Sequence, residues 1–187
     1  MWYPDLCTCG YWHSSDGEFI ETIAVGWLEN NHEFNTGTVP AAVTERLKEY
    51  ASQSWQPGYF LGFHECSLPA TKTGRTTTIY ELDGHREVPV PDSDPCGHTG
   101  TLNIFIPYQG LIYCAPEMIY HYITEHGYAP PAIFCEAVLN APTPDSAAYF
   151  AELRAILPKE QKNKIDTFIQ SRPNLKFTLT DVLPTAD

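Results

Sequence analysis

Six cysteines and seven histidines are the residues of this 187-residue chain with the most chemistry to offer. Several fall in short pairs: Cys7-x-Cys9, His64-x-Cys66 and Cys96-x-His98. Thiolate and imidazole are the ligands that zinc prefers, and four of them close a tetrahedron. Cys7, Cys9, His64 and Cys66 form the first candidate set, with Zn as the expected ion. No pair has the two-residue gap of a zinc knuckle, and cysteines scattered as small buried apolar residues give the same pattern.

A second constellation is Glu117, His121 and Glu125, spaced i, i+4, i+8 and so on one face of a helix. Flanking carboxylates raise a histidine's pKa and suit it to general-base work or metal ligation. A solvated helix face with alternating charge has the same spacing. Cys114 and Cys135 with His121 and His126 offer a thiol–imidazole pair, yet both cysteines lie in apolar runs where an inert thiol is the usual outcome. Neither a nucleophile elbow, a phosphate-binding glycine loop, a dinucleotide fingerprint nor a His-Glu-x-x-His zinc motif occurs. If the chain is an enzyme, the expectation is a metal-assisted or His/Glu-based hydrolase or transferase.

Eleven basic residues stand against twenty-three acidic ones, a formal net charge of −12. That sign disfavours nucleic acid and anionic membranes, both of which need a basic footprint. It suits a basic protein partner, because opposite fields speed encounter. Trp2, Tyr11 and Trp12, with Asp92 and Asp94, are the candidate partner-binding residues, as aromatic anchors are enriched at interfaces. Trp27, inside an apolar run, reads as core. The first residues lack the basic and apolar regions of a signal peptide, and no stretch nears ~18 uninterrupted apolar residues. The expectation is a cytoplasmic protein with reduced thiols.

These residues need a scaffold. Residues 19–28 read as a strand, a helix follows near 40–52, and residues 59–66 and 76–82 read as further strands. Residues 88–100, with three prolines and two glycines, read as a long loop. Leu102 to Pro107 and Leu111 to Cys114 form a hairpin, and a helix opened at Glu117 ends at Gly127. Helices carrying Phe134 to Val138, Phe150 to Leu157 and Ile165 to Ile169 follow, then a last strand over 174–180. The fold class is α+β, a mostly antiparallel sheet with helices concentrated in the C-terminal half. Ala141-Pro142-Thr143-Pro144 reads as a linker dividing an α+β core (1–141) from a helical extension packed on it (142–187).

The segments Trp2-Tyr3-Pro4-Asp5-Leu6, Gly62-Phe63-His64-Glu65-Cys66 and Ala115-Pro116-Glu117-Met118-Ile119-Tyr120-His121-Tyr122-Ile123 together resemble an uncharacterised family of small bacterial proteins with no assigned activity. The resemblance spans residues 2–141. In that pattern a second cysteine often completes His-x-Cys-x-x-Cys; here Pro69 stands in its place, which weakens a zinc site at His64 and Cys66 or moves its remaining ligands elsewhere. In charge and size the chain is similar to immunity proteins that neutralise a toxin. The expected function is therefore an acidic protein-binding module, an immunity- or antitoxin-like inhibitor of a basic toxin domain.

Overall fold

The computed structural model describes residues 1–10, 20–52, 55–57, 64–69, 76–81, 84–89 and 98–183, with backbone only for 76–81 and 84–89. Its centre is the hairpin of β6 (Asn103–Tyr108) and β7 (Leu111–Pro116). Gln109 and Gly110 join them, both at positive φ (51° and 77°), the conformation that a two-residue hairpin turn demands. The pairing sets Phe105 opposite Cys114 and Ile106 opposite Tyr113. Ile104, Phe105, Ile106, Ile112, Tyr113 and Cys114 are all buried, so this ribbon is covered on both faces.

The strand expected over 19–28 contracts to β1 (Ile23–Ala24), which runs parallel to β7 with Ala24 opposite Cys114. Gly26, at φ 72°, ends the ladder, while Trp27 donates its indole N–H to the Cys114 carbonyl at 3.0 Å. A Cβ on Gly26 would lie 2.9 Å from Ile119 Cδ1 and on an unfavourable backbone. Gly26→Ala is expected to cost about 2–4 kcal/mol and to lower Tm by roughly 10 °C in calorimetry. An unchanged Tm would show that this crossing is loosely packed.

Two small ribbons complete the strands. One pairs β2 (His64–Glu65) with β5 (Thr99–Gly100), and the other pairs β3 (Thr76–Glu81) with β4 (Gly84–Pro89). The expected loop over 88–100 is thus shortened at both ends. Pro89 is tolerated because it closes a two-stranded ribbon, where an outward-facing N–H would find no ladder partner.

Five helices follow the pattern read from the periodicity: α1 (Ala41–Ala51), α2 (Ile119–His126), α3 (Ala132–Asn140), α4 (Ala147–Ile156) and α5 (Lys159–Gln170). Pro40, Pro131 and Pro158 precede α1, α3 and α5, each presetting φ for the first turn. Ser146 caps α4 by accepting from the Tyr149 N–H. The protein is α+β with its helices mostly C-terminal. Tyr149 donates to the Phe105 carbonyl at 2.9 Å and Tyr50 to the Pro142 carbonyl at 2.7 Å, so the chain beyond 141 is bolted onto the hairpin and onto α1.

One element differs in kind. Residues 174–180 form no strand; Leu179–Asp181 make a 3-10 turn with a capping box between Thr178 and Asp181. Leu175, Phe177 and Leu179 alternate as a strand would, but they pack singly on the helical layer, Phe177 with its ring 5.9 Å from Phe150. Alternation alone gives no ladder when the side chains are taken up by helix packing.

Candidate metal centre

Cys66, the residue after β2, is fully buried, and its N–H donates to the His98 carbonyl at 2.7 Å. The β2–β5 ribbon thereby continues one step and sets Cys66 opposite His98. On the other side stands α2. Gly127, at φ 65°, stops it, and the Tyr128 N–H reaches back to the Tyr122 carbonyl at 3.1 Å. His126 is therefore the last helical residue. Its side chain swings back over the preceding turn to meet His121, five positions earlier.

Three ligand atoms converge there. Cys66 Sγ lies 3.4 Å from His126 Nε2, which lies 3.2 Å from His121 Nε2. All three are within 4.8 Å of one another, and as a group they can hold a metal ion. The His98 ring stacks on His121 with centroids 4.3 Å apart and planes inclined by 12°. Burial holds the His126 pKa below the ordinary histidine value, partly countered by the charge of Glu125. That direction favours the neutral ring, the form a metal ligand must present.

His126 Nε2 faces a thiol on one side and a second imidazole nitrogen on the other. A single proton on it can point at only one of them. A cation placed among the three satisfies every lone pair at once.

The other candidates go elsewhere. His64 faces the Tyr122 hydroxyl at 3.2 Å, and burial lowers its pKa as well. Cys7 and Cys9 flank β1: the Cys9 N–H donates to the Thr22 carbonyl, and the Cys7 carbonyl accepts from Ala24. Burial, reinforced by Cys9, pushes the Cys7 thiol up. None of the three belongs to the group at Cys66. Glu117 sits ahead of α2, and its Oε1 accepts from the N–H groups of Thr101 and Leu102, so it clamps β5 and its continuation to the helix start. Gly100 fits beneath it, where a Cβ would come within 2.7 Å of Met118 Cγ. Cys114 is buried in β7, and Cys135, its thiol pushed up by burial, lies 3.8 Å from the Pro130 carbonyl. Trp2 stacks on His32 with centroids 3.9 Å apart. Tyr11, Trp12, Asp92, Asp94 and Cys96 lie outside the described residues.

The class is then clear: an α+β domain in which the two-stranded β2–β5 ribbon and α2 carry a Cys/His cluster that could hold a metal ion. A family model described as a domain of unknown function (DUF7919) matches residues 1–139, and the chain belongs to that family. Comparison with curated proteins and with solved structures finds no match. Among the described residues, no helix is long and apolar enough to cross a membrane.

Proposed function

We propose that this is a zinc-binding domain in which Cys66, His121 and His126 hold the ion, and that the metal-tied domain serves as a module for binding a basic protein. The convergence of one thiol and two imidazoles on a common point carries the first half. A soft sulfur with two ring nitrogens suits zinc better than magnesium or calcium, which take oxygen. His98, stacked on His121 and opposite Cys66, is the neighbour able to rotate in as a fourth ligand. A fourth protein ligand makes a closed, structural site. Metal analysis of the purified protein tests this: one zinc per chain is the expected result, and less than a tenth of that overturns it. Cobalt substitution should give intense tetrahedral d–d absorption.

The net charge of −12 supports the second half, in which the partner is a cationic protein such as a toxin domain that this chain would inhibit. Its association rate with such a partner is expected to fall at least tenfold as ionic strength rises from low to physiological and beyond. A rate indifferent to salt removes the electrostatic argument.

One observation favours a second reading. Three protein ligands leave a fourth position for water, the arrangement of hydrolytic zinc sites. Cobalt spectra decide between them: His98→Ala changes the spectrum of a four-ligand site and leaves that of a three-ligand, water-bearing site unchanged.

A further inference from the structure

A groove of about 270 Å³ opens between the N-terminal segment and the turn after β1, at the small end for a ligand pocket and roomy enough for one long side chain. Trp2, Tyr3 and Phe34 supply aromatic walls, and Asp5 and Glu33 are the carboxylates among the described residues that line it. The walls are fixed in place. Trp2 is stacked on His32, Tyr3 packs edge-on against Trp27 at 5.6 Å, and Phe34 packs edge-on against buried Tyr128 at 6.2 Å.

Asp5 decides what the groove wants. It is half-buried, and its carboxylate accepts from the Gly26 N–H at 2.9 Å and from the Tyr128 hydroxyl at 2.8 Å. Both donors are neutral. No ammonium or guanidinium pairs with Asp5 among the described residues, and the nearby N-terminal ammonium is engaged by Glu29 at 3.1 Å. The carboxylate is thus held by neutral donors on one side, Tyr128 lying within reach of both its oxygens, and has no cationic partner among the described residues. Aromatic faces beside an uncompensated carboxylate attract a cation twice over, through the ring quadrupoles and through the charge.

We propose that this groove receives an arginine side chain of the partner protein, its guanidinium against Asp5 with Glu33 at the rim and its plane along the aromatic walls. Arginine fits better than lysine, because a planar fork can bond a carboxylate and stack in the same pose. The inference rests on the reading of the chain as a module for a basic protein, and it is independent of the zinc.

The test is an NMR titration of the full chain with Nα-acetyl-arginine methylamide, followed at the four tryptophan indole N–H signals. The Trp2 signal should move and saturate with Kd near ~1 mM, while that of buried Trp27 stays put. The citrulline counterpart, isosteric but neutral, should bind at least tenfold more weakly, and the lysine counterpart several-fold more weakly. Asp5→Asn, which still accepts from Gly26 and Tyr128, should weaken arginine binding about tenfold. If that variant loses the native Trp27 signal, Glu33→Gln at the exposed rim replaces it, with about threefold weakening expected. A Trp2 signal that does not saturate, or citrulline binding equal to arginine, overturns the proposal, and lysine binding equal to arginine overturns the choice of guanidinium. A basic partner that associates in a salt-dependent way yet is indifferent to Asp5→Asn and Glu33→Gln would sink the groove and leave the module reading standing.

Discussion

Stripping zinc with a chelator should lower the Tm of this protein by roughly 8–16 °C. A site held at about a thousand times its Kd stabilises the folded state by about 4 kcal/mol, and in a chain of this size each kcal/mol is worth about 2–4 °C. The effect stays below the complete unfolding of a zinc finger because the core is built without the metal: Phe105, Phe134, Tyr149 and Phe150 are fully buried and none of them is a ligand. What the proposed ion would tie is local, the β2–β5 ribbon to the end of α2. Cys66→Ser is the sharper probe. Serine still hydrogen-bonds to His126 but is a poor zinc ligand, so the variant should lose the metal and match the chelated protein in Tm. Were Cys66, His121 and His126 merely a hydrogen-bonded chain, the same change would cost about 1 kcal/mol and chelation would do nothing. Hydrogen exchange should place the loss at residues 64–66, 98–100 and 119–126, because only those backbone bonds open when the tie is cut.

The scaffold of this site was legible because its signals are local. The apolar run of β6 and β7 around Gln109-Gly110, the glycine at 127 and the 3.6-residue spacing of Val43, Leu47 and Tyr50 each act within one element. Where the pattern misled, tertiary context intervened. Residues 19–28 are rich in β-branched and aromatic side chains, yet Gly26 turns the chain after two paired residues. Residues 174–180 alternate, yet Leu175, Phe177 and Leu179 pack against the core one by one and pair with no strand. The site itself was legible as parts and not as a set. Cys66, His98 and His121 stood out in short-range patterns and His126 only as a partner for Cys114 or Cys135; the grouping with Cys66 depends on β2 pairing with β5 and on where α2 stops. A separation of five residues is not a same-face spacing on a continuing helix; it works here because His126 is terminal. The i, i+4, i+8 pattern pointed Glu117 at His121, whereas a residue ahead of the helix start is better placed to take the backbone N–H groups of Thr101 and Leu102.

Removing residues 144–187 is expected to abolish cooperative folding, a larger effect than loss of the metal. The matched family region ends at 139, so a tail that only decorated the domain would be dispensable. Its contacts argue otherwise. Tyr149, Phe150, Leu153, Leu157, Ile165 and Ile169 are all at or near complete burial, and each is worth about 1.5–3 kcal/mol when taken from water. They also bury one another, so only part of that total belongs to the core; even half is comparable with the whole stability of an ordinary domain, about 5–15 kcal/mol. The Phe105 carbonyl would lose its Tyr149 partner, and the face of β6 beneath α4 would be bared to water. A chain of residues 1–143 should therefore melt without a sharp transition and bind a hydrophobic dye. Phe150→Ala in the full chain separates packing from mere length. Its ring meets Tyr149, Phe168 and Phe177 at 5.3, 5.7 and 5.9 Å, and its removal should cost about 3–5 kcal/mol by urea denaturation. If residues 1–143 instead keep the Tm of the full chain, α4 and α5 stabilise only each other, and the hairpin of β6 and β7 carries its own core.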